Sequence, residues 1–154
     1  MSVCLDIDLL QVQPFIKIRK KPQGNEIFDT VRKKWLILQP EEWVRQLMVL
    51  YLSKVLQIPL NHFSIEKGVS KGLKKGRWDI LIFDYSMKPF LLIECKSPNI
   101  SLTEDVIYQA AVYNIELKAP YIAVTNGSMT SCFRIDKENH GFTFLTGFPV
   151  YPTI

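Results

Sequence analysis

WDILIF at residues 78–83 and FLLIECK at residues 90–96 are the two apolar segments that decide the fold of this chain. Each segment is short and rich in Ile, Leu, Phe or Trp, as a buried strand is. The residues SMKP at 86–89 lie between them, so a hairpin is the natural connection. Charged residues interrupt or end both segments: Asp79 in the first, Glu94 and Lys96 in the second. The sequence therefore predicts two antiparallel strands that carry ionic side chains.

The segments on either side predict the rest of the fold. Pro40 and the two acids after it suit the first turn of a helix, and apolar residues at helical spacing continue it to residue 58. A strand is expected near 63–67. SLTE at 101–104 predicts a capping box and a second helix to about residue 118. A fourth strand follows at 121–125. This order predicts an α/β sandwich with a mixed β-sheet flanked by helices.

Length and composition predict a single domain. The chain has 154 residues, of which 47% are hydrophobic and 22% charged, enough to bury one core. We expect an N-terminal β extension at 1–39, a core at 40–127, and a C-terminal strand with a tail at 128–154. Within the extension, residues 15–19 alternate apolar and basic as a half-buried strand does.

Residue counts and the lengths of apolar stretches exclude several classes of protein. No apolar stretch approaches the roughly 18 to 20 residues of a membrane helix, so no membrane partner is expected. The first six residues contain one acid, Asp6, and no base, whereas a signal peptide carries bases there. Three scattered cysteines indicate reduced thiols, and two histidines exclude zinc fingers. We therefore expect a cytoplasmic protein.

The positive charge is clustered. Of the 19 lysines and arginines, seven lie between residues 17 and 34, and five lie between residues 67 and 77, a segment with no acid. Such clustering is typical of a protein that binds a polyanion. Solvated loops that keep the protein soluble would show the same pattern. The candidates in the second segment are Lys71, Lys74, Lys75 and Arg77.

Strand geometry brings the ionic residues together. Glu94 and Lys96 are two residues apart, so they share one face of their strand. Asp79 lies on that same face in any pairing whose two residue numbers add to an odd value, such as Phe83 with Phe90, and a slip of one residue moves it to the other face. An ordinary cross-strand salt bridge is the alternative explanation for this group.

The three side chains suit metal-assisted hydrolysis. Carboxylate oxygens are ligands that Mg²⁺ or Mn²⁺ prefers, and a bound cation polarises a phosphoryl oxygen. The Lys96 ammonium could position the attacking water or balance charge in the transition state. On the second helix, Gln109 and Tyr113 share a face. We expect Tyr113 in the apolar stripe and Gln109 beside it, in need of a partner.

These residues resemble a known signature. RWD at 77–79, followed after fourteen residues by ECK at 94–96, is similar to the motif of the PD-(D/E)xK nuclease superfamily. A longer set resembles the N-terminal nuclease domain of type I restriction enzyme R subunits, in a short, free-standing form. That set consists of PEEWVRQ at 40–46, Glu66, the two motifs above, Gln109, Tyr113 and TNG at 125–127.

The resemblance implies a restriction-endonuclease-like αβββαβ core and a role for each matching residue. Asp79 and Glu94 would bind the metal, with Cys95 lending a backbone carbonyl, and Lys96 would be the catalytic lysine. A helix glutamate often completes such sites; Glu42 is chosen over Glu41, although spacing does not decide between them. Gln109 and Tyr113 would border the site or contact the DNA backbone.

The sequence therefore predicts a Mg²⁺-dependent deoxyribonuclease, related to restriction or DNA processing, in which Mn²⁺ substitutes for Mg²⁺. The alternative is a catalytically silent nucleic-acid-binding or complex-assembly module of the same fold. RNA remains open as a substrate, and a homodimer is possible because a double-strand cut needs two sites. The Gly-Lys segment 68–76 is no phosphate-binding loop for ATP, so no ATP site is expected in this chain.

Overall fold

The computed structural model describes residues 3–65, 78–138 and 141–153. Helix α1 spans Pro40–Leu50 and continues as a π-helical turn at Tyr51–Val55, and helix α2 spans Glu104–Leu117. Short 3-10 helices lie at Leu9–Phe15 and Leu60–His62. The strands are β1 (Ile18–Arg19), β2 (Glu26–Asp29), β3 (Lys34–Ile37), β4 (Phe63–Ile65), β5 (Ile80–Phe83), β6 (Pro89–Cys95), β7 (Tyr121–Thr125), β8 (Thr130–Asp136) and β9 (Gly141–Phe144).

A six-stranded sheet forms the centre of the molecule. Its strands lie in the order β4-β5-β6-β7-β8-β9. Strands β6 and β7 are parallel because α2 carries the chain back between them, whereas the other neighbours are antiparallel. This sheet confirms the predicted mixed α/β fold, with α1, β4, β5, β6, α2 and β7 in the expected order.

The register between β5 and β6 confirms the predicted parity. Ile80 pairs with Ile93, and Leu81 pairs with Leu92, so the paired numbers add to an odd value. Extending this register by one residue places Asp79 opposite Glu94. The pairing predicted at the other end is wrong, because the register shifts there and Phe83 pairs with Pro89.

The core has two layers, one on each face of the sheet. On the first face, α1 packs against the alternate strand residues that include Ile80, Ile82, Leu91 and Ile93. On the second face, α2 packs against the intervening residues that include Leu81, Leu92, Ile122 and Val124. Alternation along the strands therefore supplies both helices with an apolar surface.

Helix α1 is buried over most of its length. Every residue from 44 to 50 is buried, because the Leu9–Phe15 3-10 helix and the N-terminal strands cover the side that faces away from the sheet. Polar side chains at these positions must therefore find partners inside the protein.

Helix α2 differs from the sequence-based prediction in two ways. It begins only at Glu104, with Thr103 as its N-cap and no side-chain cap, so the capping box predicted at 101–104 is wrong. Its buried residues are Ile107, Ala110 and Asn114. Tyr113, expected in the apolar stripe, is 44% exposed instead.

The N-terminal residues form a separate three-stranded antiparallel sheet in the order β1-β2-β3. The strand expected at 15–19 begins only at Ile18, because Phe15 ends the 3-10 helix whose Leu9 and Val12 enter the core. The inner face of this sheet carries Ile27, which is fully buried.

The C-terminal residues return to the sheet. After β9, the Tyr151 hydroxyl donates to the carbonyl of Phe83 (2.6 Å) and contacts Nδ1 of His62. Burial raises the pKa of Tyr151 to about 12, so this hydroxyl keeps its proton and remains a donor. In the described parts of the chain, no helix is both long and apolar enough to cross a membrane.

Candidate functional site

Asp79 is held at the start of β5 by two hydrogen bonds. Its Oδ2 accepts from the backbone N–H of Cys95 (2.7 Å), and its Oδ1 accepts from Nη2 of Arg45 (2.9 Å). The side chain is only 9% exposed. A buried carboxylate with two such donors is fixed in position. The bond to Cys95 also ties Asp79 to the end of β6, where Glu94 lies.

Glu94 and Lys96 form an ion pair beside Asp79. Nζ of Lys96 lies 3.6 Å from Oε2 of Glu94, and the two side chains are 25% and 15% exposed. Burial raises the pKa of Glu94, the charge of Asp79 raises it further, and Lys96 lowers it; the result is about 8. The structure therefore brings together the three ionic residues that the sequence singles out. A divalent cation beside Asp79 and Glu94 would relieve their mutual repulsion.

Arg45 is a buried guanidinium between two carboxylates. Its Nη1 lies 2.7 Å from Oε1 of Glu42, and its Nη2 reaches Asp79. Burial by itself lowers the pKa of Arg45, but the charges of Glu42 and Asp79 raise it above its ordinary value. Arg45 therefore stays charged and links helix α1 to the start of β5.

A chain of hydrogen bonds extends this link to the N-terminal sheet. Nε2 of Gln46 donates to Oε2 of Glu42 (3.0 Å), and Oε1 of Gln46 accepts from the backbone N–H of Thr30 (3.2 Å). Thr30 directly follows β2. The position of Asp79 is thus tied through Arg45, Glu42 and Gln46 to the N-terminal extension.

The two glutamates at the start of α1 differ in their surroundings. Both oxygens of Glu42 accept hydrogen bonds, one from Arg45 and one from Gln46. Glu41 instead contributes to the raised pKa of Glu94 and to that of Cys95. The choice of Glu42 over Glu41 as the helix carboxylate of the site stays a prediction.

The thiol of Cys95 is buried in the protein core. Its side chain is 1% exposed and packs in the core layer under α1. Burial raises the pKa of this thiol, and the charge of Asp79 adds to the effect. Cys95 therefore supplies backbone groups to the site, and its side chain is a core residue.

The donor set suits a cation that keeps much of its water. Among residues 3–65, 78–138 and 141–153, no three His, Cys, Asp or Glu side chains form a group that could hold a metal ion. Mg²⁺ commonly uses one or two carboxylates together with water and substrate phosphates. The pair Asp79 and Glu94 fits that pattern, and does not fit a closed structural site for zinc.

The other predicted residues either lie on the exposed side of α2 or fall outside the described residues. Gln109 is exposed, so solvent can satisfy its amide, and Tyr113 lies on the same open side of α2. Their role at the border of the site stays a prediction. The basic residues Lys71, Lys74, Lys75 and Arg77, together with Glu66 and the segment 68–76, lie outside the described residues.

TNG at 125–127 forms the turn between β7 and β8. Oδ1 of Asn126 accepts from the backbone N–H of Met129 (2.8 Å), and its Nδ2 donates to the carbonyl of Ile100 (2.8 Å). Gly127 has a φ of +96°, and a Cβ there would lie 3.2 Å from Cγ2 of Val44. Both the conformation and the close approach of α1 require glycine.

Sequence reasoning missed the role of Arg45. Its i, i+3 spacing from Glu42 was visible, but surface helices show such pairs too. The informative signal is its position: Arg45 and Gln46 interrupt a helix whose following residues are all apolar. A charged residue inside such a segment predicts a buried partner elsewhere in the chain.

Comparison with known proteins gives a family for the chain. The model of the family described as type I restriction enzyme R protein N terminus matches residues 40–149, well over half of the chain. No curated protein matches. A solved fragment assigned to an HsdR subunit of a type I restriction enzyme from Vibrio vulnificus YJ016 is similar, with 22% sequence identity and a TM-score of 0.42. That match covers 57% of this chain and 19% of the fragment. The chain therefore belongs to the family of type I restriction enzyme R protein N termini.

Proposed function

We propose that this chain is a Mg²⁺-dependent phosphodiesterase that acts on DNA, with Asp79 and Glu94 as metal ligands and Lys96 as the catalytic lysine. The observation that carries the proposal is the meeting of these three side chains at one end of β5 and β6. Membership of a restriction enzyme family supports DNA as the substrate. The PD-(D/E)xK type of site is part of the same proposal.

Each residue has a separate task in this proposal. Arg45 and the N–H of Cys95 fix Asp79, so its remaining lone pairs are held in a constant direction. Glu94 provides the second carboxylate. When bound, Mg²⁺ would polarise a phosphoryl oxygen and lower the pKa of a water molecule. Lys96 would stabilise the negative charge that develops on the phosphate as water adds and one P–O ester bond breaks.

Plasmid cleavage tests the proposal. Supercoiled plasmid is incubated with the wild-type chain, Lys96→Ala and Lys88→Ala, in Mg²⁺, in Mn²⁺ and in EDTA. Lys88 is an exposed residue at the β5–β6 hairpin and serves as a matched control. In either metal, we expect Lys88→Ala to cut as fast as wild type. We expect Lys96→Ala to cut at least about 100-fold more slowly than wild type. Equal cutting by Lys96→Ala and wild type would refute the assigned mechanism.

A silent binding or assembly module is the second candidate. It is favoured by the internal cations that already face both carboxylates, Arg45 at Asp79 and Lys96 at Glu94. Calorimetric titration with Mn²⁺ separates the two functions. A nuclease gives a divalent-ion site that Glu94→Gln removes, whereas a silent module binds DNA and shows no such site.

A further inference from the structure

The N-terminal sheet has one face that the proposed cleavage site does not use. In the register of β1, β2 and β3, the side chains of Arg19, Glu26 and Ile37 share a face with Lys17, Phe28 and Trp35. The opposite face carries the fully buried residues Ile27 and Asp29. We call the first set of six side chains the outer face. It lies in residues 17–37, before the segment that the family model matches.

Cations lie on the aromatic rings of the outer face. The Arg19 guanidinium is 4.3 Å from the centre of the Trp35 ring, and Nζ of Lys17 is 5.5 Å from the centre of the Phe28 ring. The two rings contact each other edge to face, with centroids 5.2 Å apart. Ile37 extends this surface and is 69% exposed. The result is a layered platform of planar groups and positive charge.

The charge around the platform is strongly positive. Residues 17–37, all of which the structure describes, contain seven lysines and arginines against two acids. Glu26 is paired with Arg19, and Asp29 is buried and bonded to Arg32. The remaining lysines Lys20, Lys21, Lys33 and Lys34 are exposed in or beside the two turns. The excess of positive charge therefore favours a ligand that carries negative charge.

We propose that the outer face binds single-stranded nucleic acid. Unpaired bases stack on aromatic rings and on Arg guanidinium planes, and phosphates pair with surrounding lysines. A duplex keeps its bases stacked on each other, so it offers the face only its phosphates. The same chemistry serves single-stranded DNA and RNA. This inference uses none of the residues proposed for cleavage.

Fluorescence anisotropy tests the proposal on the whole chain in EDTA, where no metal-dependent cleavage occurs. The probes are a fluorescein-labelled single-stranded DNA, the matching RNA and a duplex of the same length. Arg19→Lys keeps the charge but removes the planar guanidinium. We expect this variant to bind the single-stranded DNA at least about fivefold more weakly than wild type, and to bind the duplex with unchanged affinity.

A second pair of variants separates position from total charge. Lys17→Gln/Arg19→Gln removes two charges from the outer face, and Lys88→Gln/Lys137→Gln removes two from exposed turns elsewhere. The first variant should weaken single-strand binding further and reduce the salt slope by about 1.4. The Lys88→Gln/Lys137→Gln variant should change the affinity less than about twofold, because salt screens charges that do not contact the bound strand.

The outcome decides the proposal in either direction. Tighter binding of either single strand than of the duplex, lost in Arg19→Lys, supports it and shows which sugar is preferred. Single-strand affinity that Arg19→Lys leaves unchanged would overturn it. A loss that is equal for single strand and duplex would overturn it too, because stacking would then play no part. Unfolding curves of each variant confirm that the N-terminal sheet is intact.

Discussion

Two arginine–glutamate pairs in this molecule have the same N–O distance and different surroundings. The Arg45–Glu42 pair and the Arg19–Glu26 pair both have an N–O distance of 2.7 Å. The side chains of the first pair are 6% and 12% exposed, whereas those of the second are 42% and 25% exposed. Distance alone would rank the two pairs as equal, but burial makes their energetic roles different.

The buried pair is part of the candidate cleavage site, and the exposed pair is part of the outer face. Arg45 cannot be removed without leaving Glu42 and Asp79 as buried charges that lack their counter-ion. Arg19 can be removed with little penalty, because water solvates Glu26. Under the two proposals above, buried charge fixes a site and exposed charge contacts a ligand.

The largest expected effect is that of Arg45→Ala on stability. Breaking a buried ion pair from one side typically costs about 3 to 5 kcal/mol. We expect the free energy of unfolding, measured with urea, to fall by that amount. Arg134→Ala is the control, since Arg134 is half exposed and lies 3.4 Å from Asp136. A loss below about 1 kcal/mol for Arg45→Ala would show that the two classes of pair do not differ.

The ionisation of Glu94 gives a second test of the energetic cost of buried charge, through the pH dependence of stability. Its pKa is about 8 in the folded chain against an ordinary value of 4.5, so between these values the folded state holds a proton that the unfolded state has released. Glu94 therefore stabilises the folded state fully below about pH 4.5, and this contribution is lost as pH rises to about 8. The expected slope approaches about 1.4 kcal/mol per pH unit.

Urea unfolding of wild type and Glu94→Gln in EDTA, between pH 5 and about pH 9, measures this effect. Gln cannot ionise, so the variant should gain stability relative to wild type as pH rises. A difference between the two proteins that stays constant across this range would contradict the raised pKa.

The smallest expected effect is that of Arg19→Ala on stability. Exposed ion pairs contribute about 0 to 1 kcal/mol, and a cation over an exposed ring adds a similar amount. We expect urea unfolding to show a loss of about 1 kcal/mol or less, while binding of a single strand falls markedly. A loss comparable to that of Arg45→Ala would mean that the outer face is a structural element.

Residues Asp79 and Glu94 show how much of the site follows from local rules. Alternation along a strand and an odd-sum register are enough to place them together, because the period of two leaves only one other arrangement. The shift at Phe83 did not matter, since it lies at the other end of the strand pair.

Arg45 and Tyr113 show what local rules cannot supply. Arg45 is buried because the N-terminal 3-10 helix and sheet cover α1, and that contact joins distant parts of the chain. Tyr113 is exposed because α2 rests on the sheet through a narrow stripe of Ile107, Ala110 and Asn114. In both cases the width of the covered surface decides burial, and helical periodicity does not specify that width.

The claim that Asp79 and Glu94 bind one divalent cation is tested most directly by a crystal soaked in Mn²⁺. Anomalous scattering should show a single peak bonded to one oxygen of each carboxylate, and the peak should vanish in Glu94→Gln crystals. Absence of the peak in wild type, at a Mn²⁺ concentration that supports plasmid cleavage, would contradict the claim, as would a peak held by other residues.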